Sequence, residues 1–472
     1  MTLLDTPTLL ETLSRILRPE DLLQGDAVRA RSAAWGWTGA DGCQALAVAR
    51  PRTTEEVAAI LRACHEQDQP VVTHGGVTGL VKGSVASTSE LVLSLDRMTE
   101  IEEVDPLERA MTVQAGATLE SVQQAARTAG FCYAVDLGAR GQCTIGGNIA
   151  TNAGGNNVIR WGMTRQQVLG LEAVLADGTV ISDLSTMLKN NAGYDLKQLF
   201  IGTEGTLGVV TRAVLRMHTL PTSFNTALLA LPDYASMHRV LRVAQQRLGA
   251  DLAAFEVLWD DFYRLVTTPP AQGQPPLEQG FPLYVLVEAQ GTSADRDGEI
   301  FRDAILHCMD EGLVADSVVA MSSNDRQRLW DLRDDVEQLA RIAPFRTFDV
   351  SLPLRSTEEY VERVTRRIRS RWPEGHVVTF GHLGDGNIHF AIGVGEGGPK
   401  IVEAIEAAVY EPLADYGGSV SAEHGVGTEK QPYLHLTRDA AQIELMRTLK
   451  GALDPKNLLN PGRVLPPRLD RG

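Results

Sequence analysis

The chain has 472 residues, 43% of them hydrophobic and 22% charged, and a formal net charge of −16. This is the composition of a globular protein too long for one ordinary domain, so two or three are expected. The acidic balance argues against nucleic acid and anionic membrane surfaces as partners, and no apolar run reaches the roughly 18 residues needed to cross a bilayer.

Residues 1–26 carry acidic groups and the amphipathic leucines Leu9, Leu10, Leu13 and Leu17, without the basic start and small-residue cleavage site of a secretory signal. A surface helix is expected there. Five widely spaced cysteines with no CxxC pair fit a reducing compartment, and a cytoplasmic location is the expectation. They also argue against an iron–sulfur cluster.

Thr53-x-x-Glu56 is a capping-box signature opening a helix with Val57, Ile60, Leu61 and Cys64 at helical spacing. Pro70–Thr73 reads as a buried strand running into the glycine-rich loop from His74 to Ser84, and Leu91–Leu95 as the next strand. Glycines let backbone N–H groups approach a phosphate closely, so this junction is a candidate pyrophosphate site; alone it is equally a tight turn. It has neither the G-x-G-x-x-G spacing of a nicotinamide fingerprint nor the G-x-x-x-x-G-K-[ST] pattern of nucleoside triphosphatases.

Two further glycine-rich segments follow. Asp136–Gly155 has few bulky residues and many small polar donors, and is expected to wrap a ligand and not to form a conventional core. Residues 169–175 and 179–181 flank an Asp177-Gly178 turn and read as a hairpin. Asn191–Gly208 again mixes glycines with polar groups. Three such segments imply an extended ligand such as a dinucleotide. Downstream, Thr267–Pro276 and Gly395–Pro399 read as exposed loops.

Gly384-Asp385-Gly386-Asn387 is strong turn chemistry between His382-Leu383 and Ile388-His389-Phe390. As a four-residue hairpin loop it sets Leu383 opposite Ile388 and His382 opposite His389. Opposed residues bring their Cβ atoms to about 5 Å, close enough for two imidazoles to share a divalent cation. Glu423, in Ala422-Glu423-His424-Gly425, offers a third, anionic ligand. Two histidines and one carboxylate leave coordination positions open, as in a catalytic site. A hairpin whose histidines merely stack is the alternative.

The loop Gly75–Ser84, Thr144-Ile145-Gly146-Gly147-Asn148 with Thr151-Asn152-Ala153-Gly154-Gly155, Tyr194-Asp195-Leu196 with Gly202–Gly208, both histidine segments, and Leu453-Asp454-Pro455 with Leu459-Asn460-Pro461-Gly462 resemble the FAD-linked D-2-hydroxyacid dehydrogenases of the vanillyl-alcohol oxidase/p-cresol methylhydroxylase superfamily. The resemblance runs from about residue 40 to 465, in order. It implies an α+β fold: a two-part FAD-binding domain of the p-cresol methylhydroxylase type (40–220), an α+β substrate or cap domain with an antiparallel sheet (221–415), and a C-terminal segment returning to the flavin (416–472), after an N-terminal helical segment (1–39).

By the same resemblance, Gly75, Gly76, Val77, Thr78, Gly79, Ser84, Thr144, Gly146, Gly147, Asn148, Thr151, Ala153 and Gly154 hold FAD, with Gly205, Thr206, Glu423 and Asn460 along it. Relatives with covalent flavin often place a histidine after the first Gly-Gly pair, where this chain has Val77, so non-covalent FAD is expected. His382, His389 and Glu423 match the family's metal ligands, a set that suits zinc and also fits manganese or iron. His424 matches the base, and Arg333 the arginine that grips the substrate carboxylate.

The implied reaction oxidises a D-2-hydroxy acid to the 2-oxo acid and passes electrons to a quinone, cytochrome or electron-transfer flavoprotein. A homodimer is among the open associations. Glu337, Thr347 and Ala391 stand where D-2-hydroxyglutarate dehydrogenases usually carry threonine, lysine and asparagine, which favours D-lactate or a bulkier apolar D-2-hydroxy acid. Whether Arg346 replaces the missing cation depends on the direction it takes. The alternatives are a D-2-hydroxyglutarate-specific enzyme, a non-redox flavoprotein of the alkyl-dihydroxyacetone-phosphate synthase kind, and a flavoprotein subunit of a glycolate-oxidising complex.

Overall fold

A computed structural model of the chain describes residues 8–33 and 42–467. Residues 1–7 and 34–39 of the N-terminal segment therefore lie outside the described residues. Two compact units divide the chain: Met1–Gly154, Met163–Thr219 and Glu423–Gly472 form the first, and Gly155–Gly162 with Leu220–Ala422 the second.

In the first unit, Thr53 caps the helix Thr54–Glu66 by accepting the Glu56 N–H at 3.2 Å. The Glu56 carboxylate reaches back to the Arg52 N–H at 2.7 Å, one residue before the cap. Val57, Ile60, Leu61 and Cys64 form the buried stripe of this helix, as their spacing requires. The strands Ala47–Ala49, Leu91–Ser94 and Val71–His74 pair in parallel, with Leu22–Leu23 antiparallel at one edge. Such strands are buried on both faces, which is why they read as unbroken apolar runs.

A second, antiparallel sheet has the order Ile101–Asp105, Ala110–Gln114, Val209–Arg216, Val168–Val174, Val180–Asp183. Its last hairpin turns at Asp177-Gly178, where Gly178 takes φ +84° and Asp177 Oδ1 accepts the Thr179 N–H. Two expectations need correction in this unit. The N-terminal helix Leu9–Ile16 is not a free surface element, because Leu9, Leu13 and Leu17 are buried in the same core as Val57 and Leu61. The small-residue run 136–155 also contributes to that core: Thr144 caps the helix Ile145–Thr151, and Ile145 and Ile149 are fully buried. Gly146 allows this, since its N–H reaches the Ala115 carbonyl at 2.7 Å and a Cβ there would overlap that of Ala115.

The second unit is built on a seven-stranded antiparallel sheet in the order Asp316–Val319, Ser223–Leu231, Leu283–Gly291, Leu252–Trp259, His376–Gly381, Asn387–Gly393, Phe345–Ser351. Strand alternation sends Leu229 and Val287 to one face, against the helices Tyr234–Leu248 and Ala294–Asp310. Leu228, Leu258 and Leu286 go to the other, with side chains of Asp260–Thr267 and Ser323–Asp334. Thr267 proves to be a buried last residue of its helix, with its hydroxyl on the Tyr263 carbonyl, so the loop expected from 267 starts one residue later and buries Ala271. Among the described residues no helix is long and apolar enough to cross a membrane.

Candidate active site

The glycine-rich segments of the first unit converge at the carboxyl end of the strand Val71–His74. Gln142 Nε2 donates to the Gly76 carbonyl at 3.1 Å, and the two chains run so close that a Cβ at Gly76 would overlap the Gln142 carbonyl. A Cβ at Gly75 would lie 2.5 Å from Thr144 Oγ1. Asn460 brings in the C-terminal segment: its Oδ1 accepts the Thr73 N–H at 2.9 Å, and its Nδ2 donates to the Glu204 carbonyl at 2.6 Å. Gly205 lies against the same amide, 2.6 Å from where a Cβ would stand.

Val77, Lys82, Asn152, Glu204 and Asn460 all adopt positive φ in these loops. For a β-branched residue such as Val77 that conformation costs about 1–3 kcal/mol, a strain typical of ligand-holding loops. The glycine cradle and the buried Thr73 Oγ1, which has no hydrogen-bond partner among the described residues, fit a phosphate-bearing cofactor. Ser84 donates its hydroxyl to the Ala33 carbonyl, Thr151 to Gly147 and Thr206 to Thr203, so these three shape the backbone of the loops. Gly147 N–H is taken by the Thr144 cap, while Ala153 receives the Thr164 N–H and hydroxyl on its carbonyl.

In the second unit His382 and His389 are buried, with ring centroids 5.3 Å apart and planes at 84°. The expected register is incorrect: Phe380, and not His382, pairs directly with His389. Residues 383–385 form a turn of 3₁₀ helix, and Gly386 takes φ +87°. His382 thereby leaves the ladder, and its ring meets His389 edge to face.

Glu256, buried to 1% exposure, holds this arrangement. Its carboxylate accepts from His382 Nδ1 and from Arg333 Nε, each at 2.8 Å. Arg333 Nη2 stands 3.3 Å from His382 Nε2. A guanidinium only donates, so Nε2 presents its lone pair and the ring proton sits on Nδ1. In that tautomer Nε2 is the ring nitrogen able to ligate a metal, once its lone pair is released from Arg333, and the carboxylate behind the imidazole orients the ring. Burial pushes the Glu256 carboxyl up, but His382 and Arg333 outweigh it and hold the group below the ordinary carboxylate range. Asp349 pairs with His389 across the ladder, Oδ1 to Nδ1 at 3.8 Å, and its Oδ2 accepts the Ala422 N–H at 3.1 Å.

Arg333 is therefore an interior group on the helix Ser323–Asp334 and not a surface charge. Arg346 points away from the histidines: it alternates with Thr347 and Asp349 on its strand and pairs with Glu406 at 3.0 Å. Thr347, Ala391, Val378 and Phe380 occupy the His389 face. Glu337 is exposed. Glu423 and His424 follow Ala422 in a bend and not in an extended strand, so their sides are not set by strand alternation. Sequence reasoning missed Glu256; it lies 126 residues from His382, and the only signal is an acidic residue inside the apolar strand Leu252–Trp259.

Residues 220–464 match the family described as FAD linked oxidases, C-terminal domain, and residues 45–183 match the FAD binding domain. Over 418 residues the chain is 41% identical to the mitochondrial D-2-hydroxyglutarate dehydrogenase of Bos taurus, covering 88% of this chain and 76% of that protein. It is 40% identical over 426 residues to the D-2-hydroxyglutarate dehydrogenase of Xanthomonas citri pv. viticola, 89% of each, and 35% over 466 residues to that of Stutzerimonas stutzeri, 97% and 99%. The chain belongs to the FAD-linked oxidases, in the group that contains the D-2-hydroxyglutarate dehydrogenases. Among solved structures, p-cresol methylhydroxylase with substrate bound superposes with a TM-score of 0.76 at 15% identity, covering 97% of this chain and 96% of that one. An alkyldihydroxyacetonephosphate synthase gives 0.75 at 16% identity, covering 97% and 86%. At these identities the likeness is one of fold.

Proposed function

We propose that the chain is an FAD-dependent dehydrogenase that oxidises a D-2-hydroxy acid to the 2-oxo acid with the help of a divalent ion. The observation that carries the metal reading is the buried His382–His389 pair, oriented by Glu256, in a chain whose first unit belongs to a flavin-binding family. When bound, FAD supplies the hydride acceptor, and a divalent ion lowers the pKa of a chelated hydroxyl. His382 and His389 offer imidazole nitrogens to the ion. Glu423, one peptide bond beyond the Ala422 N–H that Asp349 fixes, supplies the carboxylate. His424 takes the hydroxyl proton, a task suited to an imidazole near neutral pH. Arg333 grips the substrate carboxylate through its guanidinium edge.

Zinc suits this donor set, and non-covalent flavin follows from Val77, which has no nucleophile to offer. Acid precipitation is expected to leave the flavin in the supernatant. The substrate tail is small or apolar, as in D-lactate, because Thr347, Ala391, Val378 and Phe380 form the face beside His389 and Arg346 turns to Glu406. D-2-Hydroxyglutarate is the second reading, favoured by the activity named for the relatives at 35–41% identity.

A separate acceptor, whether quinone, cytochrome or electron-transfer flavoprotein, takes the electrons. Five free cysteines, four of them buried, fit a reducing compartment such as the cytoplasm. Sedimentation would read whether the chain is a homodimer. Dye-coupled turnover across paired D- and L-2-hydroxy acids, with the oxo acid identified, tests the reaction. D-selective turnover is expected, and turnover of L-acids alone, or none, contradicts it.

A further inference from the structure

The segment that carries Glu423 and His424 continues into Gly425-Val426-Gly427, where one carboxylate takes two consecutive backbone N–H groups. Glu204 Oε1 accepts the Val426 N–H at 2.6 Å, and Oε2 the Gly427 N–H at 2.8 Å. Both oxygens of a half-buried side chain are thus spent on consecutive backbone donors, an anion in a nest of amides. The fit is close on every side. Gly425 takes φ +85°, and a Cβ on it would stand 2.8 Å from Glu204 Oε1. Gly427, at φ +53°, passes so near Val81 that a Cβ would overlap the Val81 carbonyl, and that carbonyl accepts the Thr428 N–H at 3.1 Å.

The backbone of Glu204 is pinned as firmly as its side chain. Its N–H donates to the Ala150 carbonyl at 2.7 Å, at the end of the helix Ile145–Thr151, and its carbonyl accepts from Asn460 Nδ2. Asn460 in turn holds the Thr73 N–H. One residue, itself at φ +52°, therefore joins three loops of the flavin cradle to the segment two residues after His424.

We propose that Glu204 is a positioning residue that sets His424 against the flavin cradle, so that turnover depends on it while substrate affinity does not. The inference rests on the reading of His424 as the base. Side chains elsewhere in the segment do less: Lys82 pairs with Glu429 at 2.9 Å across partly exposed surface, where an ion pair contributes little.

Glu204→Gln is nearly isosteric and keeps one acceptor, but sets an NH2 against the second backbone N–H. Hydrogen exchange of the peptide spanning 423–428 in the flavin-loaded protein is expected to quicken at least about 10-fold, while the strands Val168–Val174 and Val209–Arg216 keep their protection. In the same variant kcat should fall by roughly 100-fold with KM within about 2-fold, as for a reacting group displaced by about 1 Å. Gly425→Ala, which pushes on the carboxylate from the other side, should give the same pair of changes if Glu204→Gln loads flavin poorly. Unchanged exchange in 423–428 in both variants overturns the proposal, as does a fall in affinity without a fall in kcat. Exchange does not depend on turnover. A quickened 423–428 in a chain that oxidises no hydroxy acid would support the clamp and count against the function.

Discussion

His382 Nδ1 donates to Glu256 Oε1 at 2.8 Å, and the carboxylate that receives it is 1% exposed. Glu256 also neutralises Arg333, so its removal leaves a buried guanidinium without its counter-charge. Glu256→Ala is expected to destabilise the protein by about 3–5 kcal/mol in urea unfolding. Loss of the orienting acceptor should also weaken metal binding about 10- to 100-fold, as read by titration of the metal-free protein.

Arg346 and Thr347 are sequence neighbours on opposite faces of one strand. Arg346→Met should leave the preference among hydroxy acids unchanged and cost about 1 kcal/mol, because the pair it makes with Glu406 is partly exposed. Thr347→Lys sets an ammonium on the His389 face. It should lower KM for D-2-hydroxyglutarate about 10-fold relative to D-lactate, and steady-state kinetics on both substrates check it.

His74 ends the strand that enters the first glycine loop, with Nε2 on the Ser84 carbonyl at 2.7 Å. Burial pushes its pKa down from 6.5 to about 4. The unfolded chain therefore binds the proton first as pH falls, so this group's contribution is complete above pH 6.5 and is lost between 6.5 and about 4, by up to about 3 kcal/mol. Asp261 acts oppositely, since burial pushes its carboxyl up to about 7 and the folded state holds that proton as pH rises. The readout is therefore a difference: His74→Gln should remove one stabilising slope between pH 6.5 and 4 in paired unfolding curves.

Asn460 links Thr73 to Glu204 through both ends of its amide. Asn460→Ala leaves two partly buried backbone groups without these partners, at about 1 kcal/mol each, and opens the cradle. The flavin-to-protein absorbance ratio should fall well below that of the parent. Lys456→Ala, which removes the pair with the largely exposed Asp68 and an exposed bond to the His65 carbonyl, should keep it.

Local signals in the chain translated directly into structure. Thr53 and Glu56 mark a helix start, Asp177-Gly178 a hairpin, and Val71 to Thr73 a strand, because each depends on residues close by in sequence. The histidine pair was legible as a pair but not in register. Gly384 gives way to the Ile159 side chain, where a Cβ would collide, and Gly386 to the Leu352 carbonyl, so packing from afar bends the turn. The helix Ile145–Thr151 was hidden because glycine and asparagine are poor helix formers, and its stability comes from burial of Ile145 and Ile149. Glu256 and Glu204 act on partners 126 and 222 residues away, which no spacing rule reaches.

Metal assistance at His382 and His389 is the central claim, and anaerobic flavin bleaching by a D-2-hydroxy acid tests it most directly. Chelator-treated protein, its metal loss verified by elemental analysis, should bleach at least about 100-fold more slowly, and added zinc or manganese should restore the rate. Bleaching at the native rate in metal-free protein would contradict the account.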